Sequence, residues 1–455
     1  DIEACRPALM NVLRAYQPQR VLALGGTAVR ALNLDKLANL SATDWAGLRV
    51  ARPGYFVYPT YHPAFLLRGA GACYEALFNH HIRMLAEDTE EPPTRTLEEW
   101  SKRVRCVTPE EALACLDQIP PQSLVAVDIE TNCLRLIEGS RILSLAFAFG
   151  EPGQEQAVAC PFHPDLLSRL ARGFRLVGCN CLRFENAFFA AQGRALLWYL
   201  DIMISQHILD CRPGICGLKF QASMYLGVDG YEEEVAPFMK SPSGQAFNRL
   251  SQLPLSKLLL YNGLDALFTL AVAYQHLPRL KQRQLWDGLR LFMAGGHVLA
   301  KMERRGLVIS PAIRDRLQRV NAQMQRLTHQ LEKDPVYQKM RQLFPRPNLN
   351  SNHQIATVLY DKRGLGLTPT AYTKSGTPYL GKDALQQIGL AFCRRFLQYR
   401  KLRKARDFLK EIQDRLVRED GVQVLHPSFL LHTTRTYRSS SCDPNFQNLP
   451  SRDAS

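Results

Sequence analysis

Several features that define common protein classes are missing from this sequence. Its 12 cysteines are scattered, and no two of them have the C-x-x-C spacing of a zinc site, so we expect reduced thiols. A run of about 18 or more uncharged apolar residues is also absent, which predicts that no segment spans a membrane.

Acidic residues are in short supply relative to basic ones. The chain has 42 Asp and Glu against 57 Lys and Arg, a formal net charge of +15. Such an excess favours a polyanionic partner, with nucleic acid the leading candidate, although solubility alone is the alternative. The 455 residues, 46% hydrophobic and 22% charged, are typical of a globular protein and suggest about three domains.

A valine-rich segment, residues 124–131, is the clearest candidate for chemistry. Leu124 to Val127 are apolar, as in a strand buried on both faces, and Asp128 and Glu130 follow at positions that face one side. Adjacent carboxylates repel each other unless a cation lies between them, and hard oxygen ligands suit a divalent metal. The pattern is short, so a surface strand end with two unrelated acids is the alternative.

Two later segments supply further acids. Glu185 begins a predicted helix directly after a predicted buried strand, residues 176–179. Tyr261 and Asp265 stand four residues apart in a predicted helix, residues 258–274, and therefore share one helix face. A phenol and a carboxylate on one face could hold a water and a metal ion together, and an ordinary amphipathic helix is the alternative.

Taken in order, Asp128-Ile-Glu130, Glu185 in the segment NCLRFE, and Tyr261-x-x-x-Asp265 resemble the motifs of the DEDDy-type 3′–5′ exonucleases, which are RNase H-like proofreading domains. The resemblance implies two Mg²⁺ or Mn²⁺ ions, with Tyr261 orienting the attacking water and four carboxylates as ligands: Asp128, Glu130, Glu185 and Asp265. Glu185 stands where the family usually has aspartate, which shifts the ligand geometry by one methylene. A decayed, non-catalytic site is therefore an alternative.

The first 90 residues carry a second resemblance. The segments EACRPAL, VLALGGTAVRAL and TYHPAFLLR, in this order, resemble the C-terminal half of an iron–sulfur (family 4-like) uracil-DNA glycosylase. The resemblance implies that His62 lies in a loop that enters DNA beside a flipped base, and that Cys5 corresponds to the last of four cluster cysteines. The three earlier cysteines are not in this sequence, so we expect no iron–sulfur cluster and no glycosylase activity.

An acidic segment with a proline pair, EDTEEPP (residues 87–93), overlaps the start of the predicted linker, residues 91–107. Thr108 then begins a predicted helix, with Glu111 at the spacing of a capping box. Three predicted strands followed by alternating helices and strands indicate an α/β domain over residues 108–285.

The remaining residues, 286–455, are predicted to be mostly helical. A polar, basic helix over 311–333 is typical of half of a helical hairpin. Residues 394–406 carry seven basic side chains interleaved with Phe396 and Tyr399, which favours a surface for the duplex backbone, and a solvated helix face is the alternative.

Segments of this last region resemble the thumb and first palm segment of the family A DNA polymerases: MERRGLVIS, NLNSNHQIATVLYD, TKSGTP, LQYRKL and HTTRTYRSSSCDPNFQNLPSR. The resemblance implies a set of DNA contacts, namely Arg400, Lys401, Lys404, Arg438, Asn445, Gln447 and Asn448. Tyr437 replaces a glycine of that family's pattern. The family's catalytic aspartates come later in its sequence, so we expect no complete polymerisation site here.

Together these patterns predict an α/β protein with an RNase H-like exonuclease domain. We expect a partial α/β glycosylase-like domain before it (1–90) and a mostly helical polymerase thumb with the first palm segment after it (286–455). The resemblance implies a DNA polymerase I-like protein that proofreads single-stranded 3′ ends, binds primer–template duplex, pairs with a remaining palm and fingers, and works in the cytoplasm of a bacterial or phage-infected cell. The alternatives are a non-catalytic DNA-binding polymerase subunit and an RNase D-like RNA exonuclease.

Overall fold

A computed structural model describes residues 2–38, 40–242, 246–373 and 376–448. The chain forms two compact units. The first unit comprises residues 1–304 and 429–440, and the second comprises 305–428 and the residues from 441 onward. The expected α/β architecture with a mostly helical region after it is confirmed.

The glycosylase-like region, residues 1–90, is a small α/β layer. Strand β3 is central, pairing in parallel with β1 and antiparallel with β2. Its core packs around Leu34, Trp45 and Val57, which are almost fully buried. The elements are α1 (Ile2–Tyr16), β1 (Arg20–Leu24), α2 (Gly25–Ala31), α3 (Ala42–Trp45), β2 (Val50–Arg52), β3 (Tyr55–Thr60), α4 (Pro63–Leu66) and α5 (Glu75–Glu87).

The exonuclease-like region, residues 97–304, contains a six-stranded mixed sheet covered by helices. Its strands are β4 (Val104–Cys106), β5 (Leu124–Thr131), β6 (Ile142–Phe149), β7 (Gln156–Pro161), β8 (Arg175–Gly178) and β9 (Trp198–Asp201). Its helices are α6 (Leu97–Ser101), α7 (Pro109–Gln118), α8 (Pro164–Leu170), α9 (Glu185–Ala191), α10 (Ile202–Leu209), α11 (Leu218–Leu226), α12 (Ala236–Met239), α13 (Leu255–Gln282) and α14 (Trp286–Arg305).

Strand β5 lies inside this sheet, whose order is β4-β7-β6-β5-β8-β9. It pairs antiparallel with β6 and in parallel with β8. The apolar half of β5 is fully buried, as the sequence predicts: Val125, Ala126 and Val127 expose nothing to solvent. The two acids of β5 therefore stand on a rigid strand in the middle of the fold.

Helix α13 packs across the sheet and is the main core helix of the region. It is long and apolar enough to span a membrane, but 78% of its most apolar 18-residue stretch is buried inside the protein. It is longer than the predicted helix, 258–274, and runs through Pro278 in its last turns. The first half of α13 places Tyr261 and Asp265 over β5.

Helix α11 belongs to two cores at once. It packs on α13, while Phe220 and Met224 are buried in the core of the glycosylase-like region with Trp45. Arg52 of β2 donates to Ser223 Oγ of α11 at 2.9 Å. The glycosylase-like region is therefore packed against the exonuclease-like region through shared apolar surface.

The predicted linker, residues 91–107, packs against both the glycosylase-like and the exonuclease-like regions. The backbone N–H of Gly54 donates to the carbonyl of Pro93 at 2.9 Å, and the Arg95 guanidinium lies 4.3 Å from the centroid of the Trp100 ring. The same residues include α6 and β4, and β4 pairs in parallel with β7. Helix α7 follows with the predicted capping box between Thr108 and Glu111.

The second unit is built on long helices and a three-stranded antiparallel sheet, β10-β12-β11. Its helices are α15 (Ala312–Glu332), α16 (Pro335–Leu343), α17 (Asn352–Tyr360), α18 (Lys382–Gln387) and α19 (Ala391–Asp414). Its strands are β10 (Leu307–Val308), β11 (Val417–Glu419) and β12 (Val422–Leu425). Two further short strands, β13 (Ser428–Leu430) and β14 (Ser440–Cys442), lie at the two ends of the segment 429–440 and pair with each other. Helix α15 packs on α19, as expected for a helical hairpin.

Candidate active site

Three predicted ligands meet where β5 faces α13. The carboxylate oxygens of Asp128, Glu130 and Asp265 all lie within 4.8 Å of one another. Asp128 and Glu130 share one face of β5 because strand side chains alternate, and Asp265 comes from the helix packed over that face. Glu130 and Asp265 are 7% exposed each, so the cluster is largely withdrawn from water.

Two tyrosines hold the Asp265 carboxylate. Tyr261, one turn earlier on α13, hydrogen-bonds to it, as the shared helix face predicts. Tyr231 donates its hydroxyl proton to Asp265 Oδ1 at 2.5 Å, and the two phenol rings stack with centroids 5.9 Å apart. Tyr231 was not predicted from the sequence, because it lies between helices in a segment without periodicity.

An amide holds Asp128. Asn262 Nδ2 donates to Asp128 Oδ2 at 2.7 Å, while Asn262 Oδ1 accepts from Ser144 Oγ at 2.8 Å. Ser144 lies on β6 directly opposite Glu130. This chain of hydrogen bonds joins β6, α13 and β5, and it fixes the amide orientation that donates to the carboxylate. Asn262 was not predicted from the sequence, because neighbouring residues on a helix do not share one face.

Glu185 begins α9 and is 2% exposed. It is not one of the three acids within 4.8 Å, yet its charge acts on Asp128. One of its carboxylate oxygens, Oε2, is buried and has no hydrogen-bond partner among the described residues. Asp201 holds the preceding turn by accepting from the backbone N–H of Asn180 at 3.0 Å. The predicted fourth ligand is therefore near the cluster with an oxygen available.

The electrostatics of these acids are unfavourable for four negative charges. Burial raises the pKa of Asp128 well above its usual value, and the charges of Asp265, Glu185 and Glu130 raise it further. Burial likewise raises the pKa values of Glu130 and Glu185. Burial raises the pKa of Asp265 to about 6, against hydrogen bonds from the two tyrosines that lower it.

This donor set fits divalent cations. Hard carboxylate oxygens are the ligands that such ions prefer, and buried acids at this spacing repel each other until a cation neutralises them. The unpartnered Glu185 oxygen adds a further donor beside the three clustered acids. Asp128, Glu130, Asp265 and Glu185 are thus the residues that could hold a metal ion.

The predicted glycosylase-type residues lie elsewhere in the first unit. His62 is exposed at the start of α4, where its Nδ1 accepts from the backbone N–H of Ala64 at 3.1 Å. The imidazole therefore serves as a helix cap. Cys5 is an exposed free thiol on α1.

Part of the predicted DNA surface lies on α19. Lys401 and Lys404 are exposed, whereas Arg400 donates from Nη1 to the carbonyl of Leu380 at 2.7 Å. The interleaved aromatic residues face the core of the second unit: Phe396 is 1% exposed and Tyr399 is 6% exposed. Because both rings are buried, they cannot stack on bases in this conformation, whereas Lys401 and Lys404 remain exposed on α19.

The other predicted DNA contacts lie near the end of the described chain. Arg438 and Gln447 are exposed, and Asn445 is half-buried. Asn445 Oδ1 is buried without a hydrogen-bond partner among the described residues. The side chain of Asn448 lies outside the described part of the structure, so its predicted role stays a prediction.

Comparison with known proteins finds similarity at both ends of the chain. Residues 314–455 match the model of DNA polymerase family A, and residues 1–86 match that of the uracil DNA glycosylase superfamily. The chain is 34% identical over 178 residues to a thermostable DNA polymerase I of Thermus filiformis, covering 38% of this chain and 20% of that protein. It is 27% identical over 278 residues to DNA polymerase I of Rhizobium leguminosarum, covering 60% of this chain and 26% of the relative.

A phage relative and a solved structure extend the likeness. The chain is 29% identical over 275 residues to a DNA polymerase of Escherichia phage T5, covering 56% of this chain and 31% of that protein. The POL domain of Pol1 from M. smegmatis, solved in complex with DNA primer-template and dNTP, superposes with a TM-score of 0.59 at 20% identity, over 77% of this chain and 56% of that chain. That match shows a shared fold.

The structure is an α/β protein in which a mixed sheet with a buried carboxylate cluster precedes a mostly helical unit in the sequence. Residues 314–455 are thus similar to the family A DNA polymerases, and residues 1–86 are similar to the uracil DNA glycosylase superfamily. These alignments span about a fifth to a third of the length of the curated relatives.

Proposed function

We propose that this chain is part of a DNA polymerase I-type protein and that its own activity is Mg²⁺- or Mn²⁺-dependent removal of nucleotides from DNA 3′ ends. The observation that carries the proposal is the cluster of Asp128, Glu130 and Asp265 within 4.8 Å, on a buried strand and a core helix. Hydrolysis of a phosphodiester at such a cluster requires positioning and charge neutralisation rather than a protein nucleophile.

The residues of the chain divide the work between binding and orientation. Asp128, Glu130, Asp265 and Glu185 would hold the divalent ions, which would supply activation of a water and neutralisation of the charge on the departing 3′ oxygen. Tyr261 stands one helical turn from Asp265 and is placed to orient that water by hydrogen bonding. Tyr231 and Asn262 hold the carboxylates of Asp265 and Asp128 in one orientation.

The polarity and sugar preference of digestion test this proposal. Single-stranded DNA and RNA of one sequence, labelled at the 5′ end, are incubated with the full chain and Mn²⁺, and products are sized on a gel. We expect a ladder that shortens from the 3′ end on DNA. We also expect Asp128→Ala to abolish the ladder and a chelator to stop it.

Other outcomes point to the alternatives. Faster shortening of RNA than of DNA would favour an RNase D-like exonuclease. Salt-sensitive binding of primer–template without digestion in either metal would favour a non-catalytic DNA-binding subunit. Unchanged digestion by the Asp128→Ala variant would show that the active centre lies outside this cluster.

A further inference from the structure

Lys219 is a cation at the rim of the carboxylate cluster. It belongs to the first turn of α11, and its Nζ lies 5.8 Å from the centroid of the Tyr261 ring. Because Phe220 and Met224 of the same helix are buried in the core of the glycosylase-like region, α11 is held on its other side. The backbone that carries Lys219 is therefore fixed relative to the cluster.

The ammonium group of Lys219 is accessible to a ligand. Its side chain is 41% exposed, and its Nζ lies 3.9 Å from Glu232 Oε1. That separation is too long for a hydrogen bond, so the pair is a loose ion pair at the protein surface. The positive charge of Lys219 offsets part of the rise that burial causes in the pKa values of Glu130 and Asp265, in keeping with its position beside the cluster.

We propose that Lys219 binds the terminal phosphodiester of the DNA strand in this site, exchanging its loose pair with Glu232 for the phosphate oxygens. Lysine presents a compact charge on a flexible stem, which suits an anion that arrives and leaves at every cycle. This inference rests on the proposed exonuclease function and names a positioning residue for it. The other role open to Lys219 is to offset repulsion among the acids without touching DNA.

Binding measurements separate these two roles. The dissociation constant of the full chain for a single-stranded oligonucleotide is measured by fluorescence anisotropy in Ca²⁺ over a series of salt concentrations. We expect Lys219→Met to weaken binding about five- to tenfold and to reduce the salt slope by about 0.7, the value for one phosphate contact on a single strand. Lys219→Arg keeps the charge and should retain most of the affinity.

Lys257 provides a matched control. It is also an exposed lysine paired with a glutamate, its Nζ lying 2.7 Å from Glu234 Oε2, and it stands one turn before Tyr261 on α13. Lys257→Met should leave the affinity and the salt slope unchanged. An equal effect of both substitutions would reduce Lys219 to general surface charge and overturn the proposal.

A neutral linkage locates the contact. With a methylphosphonate at the 3′-terminal linkage, wild type and the Lys219→Met variant should bind equally, whereas a methylphosphonate several linkages inward should preserve their difference. An unchanged difference on the terminally modified strand would contradict the proposal. Because this comparison needs no cleavage, it remains decisive even if wild type fails to digest DNA, a result that would reject the proposed function separately.

Discussion

In the glycosylase-like region, the residue predicted to touch DNA is exposed and already satisfied: His62 caps α4 through Ala64. In the exonuclease-like region, the predicted ligands are buried, crowded and mutually repulsive. A folded chain tolerates such repulsion only at a cost in stability, so the arrangement points to a function that needs it. Both regions contain residues that match a sequence motif, so a motif match does not separate them. The mutual repulsion of buried acids occurs in the exonuclease-like region, and it is the stronger evidence for a functional site.

The largest effect on hydrolysis is expected from neutralising the Glu185 carboxylate. Glu185→Gln should lower the single-turnover rate of 3′ hydrolysis at least about a hundredfold, because a lost ligand charge costs several kcal/mol of transition-state stabilisation. Glu185→Asp, which restores the acid usual in the exonuclease family, serves as the control and should retain activity. Full activity of the Gln variant would place Glu185 outside the centre. Single-turnover rates in Mn²⁺ make the measurement.

A second substitution tests orientation without changing charge. Tyr261→Phe keeps the ring but removes the hydroxyl that hydrogen-bonds to Asp265, so kcat should fall about ten- to a hundredfold while KM changes little. Tyr231→Phe is the comparison, since it also loses a hydrogen bond to Asp265. If Tyr261 acts only by holding Asp265, the two variants will lose equal activity, which contradicts a separate role in orienting water.

Stability should reveal the same conflict without any catalysis. Because the pKa of Asp265 is raised from 3.8 to about 6, its folded-state contribution is fully present below about pH 4 and is lost as pH rises through 6. Asp128→Asn relieves the repulsion, so the metal-free variant should melt roughly 5 °C above wild type at pH 7.5 and nearly level with it at pH 4.

With Mn²⁺ present, wild type should melt at a higher temperature than the Asp128→Asn variant. The ion should raise the Tm of wild type more at pH 7.5 than at pH 5.5, because ligand acids must be ionised, and it should scarcely affect the Asp128→Asn variant. Differential scanning calorimetry measures the Tm of both proteins at each pH, with and without Mn²⁺. A Mn²⁺ response that survives in the variant would show that the ion binds elsewhere.

The smallest effect is expected in the glycosylase-like region. His62→Ala removes a helix cap, which should cost about 0.5–1 kcal/mol and leave 3′ hydrolysis within about twofold of wild type. Urea unfolding and the digestion assay measure the two quantities. A large loss of hydrolysis would mean that the two regions share one DNA site, and the contrast between them would then fail.

Local sequence patterns predicted much of the site's scaffold. The Val-rich run before Asp128 gave the buried strand, and the four-residue spacing of Tyr261 and Asp265 gave the shared helix face. Thr96 and Glu99 form a capping box like that of Thr108, and this signal could have revealed α6 inside the predicted linker.

Other features depended on tertiary packing, and in one helix the spacing of aromatic residues was interpreted incorrectly. Tyr231 reaches Asp265 from an irregular segment, and Lys219 reaches the cluster only because α11 is wedged between two cores. Phe396 and Tyr399 were interpreted as part of a DNA surface, yet with Phe392 they form one buried stripe at helical spacing. The period was visible in the sequence, and it favours a core face.

Direct binding of Mn²⁺ tests the central claim that this buried cluster is a metal centre. Free Mn²⁺ is quantified by electron paramagnetic resonance while the full chain is titrated in the presence of single-stranded DNA, for wild type and for Asp128→Asn. We expect wild type to bind two ions and the variant to lose at least one of them. Equal binding by the two proteins, or no binding by wild type, would contradict the claim.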